Sequence, residues 1–143
     1  MTQDFTTAVT EIAEVVAGVS GINAAPATPQ ENINERVFAL TYLMSSVTEI
    51  SETGTKMHLS NIHVDILTPL TNTGRNIAAL LPIVDLVDAA LITEITTVNA
   101  FFDGSIDTYE NLRWEFLPFY PYSGKDCIGY RAILENVKQK INL

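Results

Sequence analysis

Residues 36–69 read RVFALTYLMSSVTEISETGTKMHLSNIHVDILTP. β-branched and aromatic residues crowd 36–50, Gly54 sits in a polar break at 51–56, and alternation resumes from Met57 to Thr68. Two such runs around a short polar break predict an antiparallel hairpin with a tip at 51–56. In the second run Ile62, Val64 and Ile66 take one face, and His63 and Asp65 take the other. The apolar set is the expected core. His63 and Asp65 then fall on the less buried side, as a proton-transfer pair or as a wet or subunit-facing surface.

Before the hairpin, Phe5, Val9, Ile12 and Val16 recur at helical spacing over 4–18. Thr2 or Asp4 is placed to cap that helix, and Gly18 or Gly21 to end it. Thr28-Pro29-Gln30-Glu31 has the form of a capping box with proline at the first helical position, predicting one turn.

After the hairpin, Thr71, Asn72 or Thr73 is placed to cap a second helix. Its stripe is Ile77, Leu80, Val84, Val87 and Leu91, with a kink expected at Pro82. A turn-rich stretch over 93–111 follows. Leu112, Trp114 and Phe116 then alternate with Arg113 and Glu115, YPYSGKD breaks the run, and residues 127–137 resume it. That predicts a second hairpin over 111–137. The order α-β-β-α-β-β describes one α+β domain: an antiparallel-rich sheet of about four strands with two main helices on one face.

The bulk numbers narrow the function. The 143 residues carry 8 basic and 17 acidic side chains, a net charge of −9. The bases are scattered, which argues against a nucleic-acid grip. No apolar run reaches the ~18 residues of a membrane span, so no membrane partner is expected. The start of the chain has no basic leader pattern, so a signal peptide is not expected. Cys127 is the single cysteine, which excludes an internal disulfide and fits a reducing compartment.

Candidate chemistry is sparse. His58 and His63 are five apart and point to opposite faces of a strand, which disfavours a two-histidine metal site. Asp85 and Asp88 lie three apart on a helix without a third ligand, and residues 103–107 lack the order of a Ca²⁺ loop. Gly124-Lys125 has no upstream glycine at P-loop spacing, and no nucleophile elbow surrounds any serine. Cys127 reads as a small packed residue. No catalytic, cofactor or metal residue is assigned. Contact residues are expected instead at the first tip, Glu52, Thr53 and Lys56; on the His63–Asp65 face; and at the second tip, Tyr120, Tyr122 and Lys125, where tyrosines offer large amphipathic area.

Four segments in order add a resemblance: Ile33-Asn34-Glu35 opening into Arg36-Val37-Phe38, Ser60-Asn61-Ile62-His63-Val64-Asp65-Ile66, Arg75-Asn76-Ile77-Ala78-Ala79-Leu80-Leu81-Pro82, and Cys127-Ile128-Gly129-Tyr130-Arg131. Together, over most of 29–137, they resemble the tail terminator or tail-completion proteins of tailed bacteriophages. The chain departs from that pattern at YPYSGKD, where a Gly-Gly turn with Trp is usual, and at Asn76, where an acid is usual.

The resemblance implies a virion protein assembled in the host cytoplasm. It implies a homo-oligomeric ring, usually a hexamer, between the tail tube protein and the head-tail connector, with DNA passing through the lumen unbound. It implies no enzyme activity and no cofactor. The alternatives are another neck, head-closure or minor tail protein, or an enzyme using His63 and Asp65.

Overall fold

The structure is a computed structural model that describes residues 4–22, 37–52, 54–96 and 105–142. The turn expected at Thr28–Glu31, residues 97–104 of the 93–111 connection and Thr53 lie outside them. The described elements are α1 (Phe5–Ala17), β1 (Phe38–Ile50), β2 (Thr55–Pro69), α2 (Thr73–Thr96), β3 (Asn111–Tyr122) and β4 (Lys125–Asn142). The fold is α+β in the expected order.

The four strands form one antiparallel sheet in the order β1-β2-β4-β3, so each hairpin contributes one edge strand and one central strand. Gly54 has φ +83 at the first tip, where Ser51 N donates to Thr55 O at 2.8 Å. At the second tip Ser123 and Gly124 both have positive φ, 50° and 77°. Left-handed backbone at both central residues is the two-residue hairpin turn whose twist matches the strands. The expected seven-residue break therefore shrinks to two residues, and β3 runs on through Tyr122. Pro118 and Pro121 are tolerated because β3 is an edge strand, where a missing N–H costs no ladder bond.

The helices lie on one face. α1 is capped by Asp4, whose Oδ1 accepts from Thr7 N at 2.7 Å, and ends at Gly18. The hydrogen bonds from Thr7 hold the Asp4 carboxyl below its ordinary pKa. Asn72 caps α2 through Arg75 N at 3.1 Å. In return Asn76 Oδ1 accepts from the backbone N–H groups of Thr71 and Asn72, at 3.0 and 3.1 Å. α2 continues past Pro82, which lies on its exposed side. The carbonyl deprived of its donor there is that of Ala78, a residue on the exposed side of the helix.

Leu80, Val84, Val87 and Leu91 from α2 join Ala8, Ile12 and Val16 from α1 over Ile62, Val64, Ile66, Ala132 and Leu134 of the sheet. Over Thr73–Thr93, α2 is long and apolar enough by length and composition to cross a membrane, contrary to the expectation above. Part of the reason lies in this packing, since one stripe of the helix is core; Leu81, Leu86 and Ile92 add exposed apolar surface.

Three polar ties fix the layers. Trp114 Nε1 donates to Asp88 Oδ1 at 2.8 Å, which ties half-buried Asp88 of α2 to β3. Tyr109 OH donates to Leu91 O at 2.9 Å. Gln139 Nε2, fully buried, donates to the carbonyls of Asp4 and Ser105, both at 2.8 Å.

Gly129 on β4 has no room for a side chain. A Cβ there would collide with the carbonyl oxygen of Ile66 and lie 2.7 Å from Leu67 Cδ2. Neither backbone nor a buried leucine yields easily. Gly129→Ala is expected to lose about 3 kcal/mol of stability, read as a lowered urea midpoint at unchanged slope.

Candidate functional site

The face of the sheet turned away from the helices carries its own small core. Phe38, Leu40, Leu67 and Cys127 are buried there, with Tyr42, Leu117, Tyr120 and Tyr122 packed against them. Beside that cluster, register brings charges into line. Asp65 on β2 pairs with Arg131 on β4, and Arg131 pairs with Glu115 on β3. On one face, directly opposed residues stand within side-chain reach, so each charge meets its neighbour across the ladder.

The contacts are short. Arg131 Nε lies 2.7 Å from Asp65 Oδ1 and Nη2 lies 3.2 Å from Oδ2, a two-pronged ion pair. Tyr42 OH donates to the same Oδ2 at 2.8 Å. Arg131 Nη1 reaches Glu115 Oε1 at 3.4 Å, Arg113 Nη1 reaches Glu115 Oε2 at 3.6 Å, and Arg113 Nε reaches Glu135 Oε1 at 2.8 Å. Five charges of alternating sign therefore cross three strands. The Asp65 side chain is 0% exposed and that of Arg131 21%.

This corrects the reading of Asp65 as a residue on a wet surface. A buried carboxylate must be paired and hydrogen-bonded, and Asp65 accepts three donors. His63 is buried too, with its Nδ1 3.4 Å from Tyr42 OH and the two rings edge-on at 5.4 Å. Because Tyr42 gives its proton to Asp65, the His63 nitrogen facing it is the one bearing hydrogen. His63 and Asp65 thus meet through Tyr42.

The electrostatics set each proton. Burial, then the hydrogen bond and charge of Asp65, raise the Tyr42 phenol above its ordinary pKa. Burial, then Asp65, raise Tyr120. Burial, then Arg131, lower His63. The hydrogen bond to Asp65 raises Arg131. At neutral pH the cluster holds an ion pair, a neutral histidine and protonated tyrosines. Three donors engage the Asp65 oxygens, so the group ties β2 to β4 and, through Tyr42, to β1.

The other expected contact residues divide. Tyr120 and Tyr122 fold back over the sheet, with Tyr122 5.3 Å from the Phe38 ring, and do not stand out as anchors. The exposed aromatics on that hairpin are Phe119 and, to a lesser degree, Phe116. The bulge between Leu117 and Tyr120 shifts the alternation by which sequence spacing is read. Lys125 lines a shallow cleft with Thr68, Leu70, Asn76 and Asp126. Glu52 is exposed and Lys56 half-buried at the first tip, about 30 Å along β2 from Asp65. Cys127 is buried, as expected of a packed residue, and burial raises its thiol pKa.

His58 lies on the helix side, stacked 4.3 Å from the Phe5 ring and bonded to Thr48 Oγ1 at 2.8 Å; burial lowers its pKa. Among the described residues no three His, Cys, Asp or Glu side chains are grouped to hold a metal. Arg131, Tyr42 and Glu115 were missed in the sequence. Their one signal is that a buried strand aspartate requires a cation, and strands β3 and β4 offer only two arginines. Comparison with protein-family models and with curated proteins finds no match to this chain.

Two outcomes follow. Arg131→Met strands a buried carboxylate and is expected to cost about 3–5 kcal/mol, whereas the double variant Asp65→Leu/Arg131→Met recovers most of that loss in a denaturant titration. His63 is lowered in the fold, so the unfolded chain binds its proton first as pH falls. Its contribution is present above ~6.5 and is lost as pH drops toward the folded value. His63→Gln is expected to flatten the stability–pH curve below ~6.5, measured by thermal melts across pH.

Proposed function

We propose that this chain is a structural subunit that works by self-association. In this reading it forms a ring at the head-proximal end of a bacteriophage tail tube, ends tube polymerisation and joins the tail to the head connector. The observation that carries self-association is the outer half of β1. Met44, Val47 and Ile50 are 60%, 62% and 72% exposed on a strand that, among the described residues, has no partner beyond it in the sheet. Unpaired apolar edges are surfaces that other chains complete.

The place in the virion rests on the resemblance of residues 29–137 to tail terminators. The charged cluster supports a non-enzymatic reading, because its groups are engaged in joining β2, β4 and β3. The excess of acids suits a lumen through which DNA slides without adhering.

Electron microscopy of the purified chain and of labelled virions tests this, together with a variant shortened across Ser51–Lys56. The variant is expected to keep its far-UV circular dichroism yet to lose rings or give tails of uncontrolled length. Normal tails from that variant, or label away from the head–tail junction, would sink the proposal.

A further inference from the structure

The two edges of the sheet are guarded differently. β3 carries Pro118, Pro121 and a bulge between Leu117 and Tyr120, and its Arg113 is tied to Glu135. These are the devices by which edge strands avoid pairing. β1 has no proline and no lysine or arginine. Its bulge ends at Ser45, so Ser45–Ile50 is regular, exposed strand carrying one charge, Glu49.

The backbone of that segment has a definite polarity. Ser51 N bonds to Thr55 O, so Ser51 is a hydrogen-bonded partner of Thr55. By alternation Glu49 and Val47 also turn their N–H and C=O toward β2, at Met57 and Leu59. Thr48 and Ser46 therefore turn theirs outward.

We propose that β1 pairs antiparallel with β1 of a second copy of this chain, about a two-fold axis at Val47. In that register Ser46 of each copy faces Thr48 of the other, so outward N–H meets outward C=O on both sides of the axis. Val47 meets Val47 as a close pair without hydrogen bonds between them. Ile50 of each copy falls beside the bulge that carries Met44 of the other, which brings the remaining exposed apolar residues of the segment into the seam. Glu49 meets neutral Ser45. A parallel pairing in register would set Glu49 against Glu49. The match of backbone polarity, apolar pairs and charge is to the segment itself, which a foreign strand would not account for.

The pair is isologous, with like ends, and so differs from the repeating contact of a polar ring. It goes beyond the ring reading and does not require it. It gives the free subunit a covered edge and a sheet of eight strands.

Disulfide trapping tests it. Across the axis the two Val47 Cα atoms stand ~4.5 Å apart, within disulfide reach, whereas the two Glu49 positions are offset by four residues, ~13 Å. Val47→Cys is expected to cross-link to a dimer under mild oxidation, and Glu49→Cys is not. The native chain, whose Cys127 is buried, is the blank. In sedimentation equilibrium at high micromolar concentration the native chain is expected to dimerise. Val47→Lys, which opposes two cations at an exposed site, is expected to weaken the dimer at least ~tenfold with an unchanged melting curve.

A native monomer, cross-linking at Glu49 but not at Val47, or a Val47→Lys dimer of native strength overturns the pairing. Rings seen by microscopy without a Val47 cross-link overturn this pairing and leave the ring standing. A trapped dimer in virions that carry the chain away from the head–tail junction does the reverse.

Discussion

Asp65 is a carboxylate in the middle of a strand, without access to water, and the uncovered face of the sheet is arranged around it. An ion of that kind costs several kcal/mol to bury unless its oxygens are filled. Arg131 fills them from the neighbouring strand, and Tyr42 adds a third donor from the strand on the other side. Three strands are thereby fixed in one register, because a slip of one residue would send Arg131 to the helix face and leave Asp65 alone. Apolar contact alone tolerates slippage far better than a pronged ion pair does.

The same pair explains how a single-layer sheet keeps a structured second face. Helices cover only one side. On the other, Arg131 spreads its guanidinium toward Glu115, and Tyr42, Tyr120 and Tyr122 lay their rings beside it over Phe38, Leu40 and Leu67. Aromatic bodies supply apolar cover while their hydroxyls stay near charge or water. The result is a second, thin core made of amphipathic side chains. It covers the middle of this face, and the exposed apolar surface sits outside it: on the outer half of β1, on the solvent side of α2 and at Phe116 and Phe119.

Most of the architecture was legible in the sequence because it is written in local patterns. Alternation gave the strands, the 3.6-residue stripe gave α2, and Asp4, Asn72 and Gly54 marked ends and turns by their ordinary chemistry. Three things were not legible. The extent of β3 depended on Ser123 taking a left-handed conformation, which residue type only weakly encodes. The orientations of Tyr120 and Phe119 depended on a bulge, which alternation cannot see. The partners of Asp65 depended on a pairing 66 residues away in the chain, and no period reports that. The face was read correctly as the one opposite Ile62, Val64 and Ile66, but its solvation was misjudged, since exposure is a property of neighbouring strands.

β4 is the last of the four strands to be made and lies inside the sheet, between β2 and β3. It carries Arg131 to Asp65 and, through Gln139, holds the first turn of α1 by the Asp4 carbonyl. Until that strand has left the ribosome, β2 has an open edge, the ion at position 65 lacks Arg131, and the Asp4 carbonyl lacks its Gln139 donor, although α1 and α2 can already pack on the first hairpin. Completion of the sheet is therefore deferred until β4 has been made, and the closure that seats it on β2 spans the 66 residues between Asp65 and Arg131. A nascent chain halted before β4 would present an unsatisfied sheet edge and a buried-type charge together, the combination that quality-control proteases and chaperones engage.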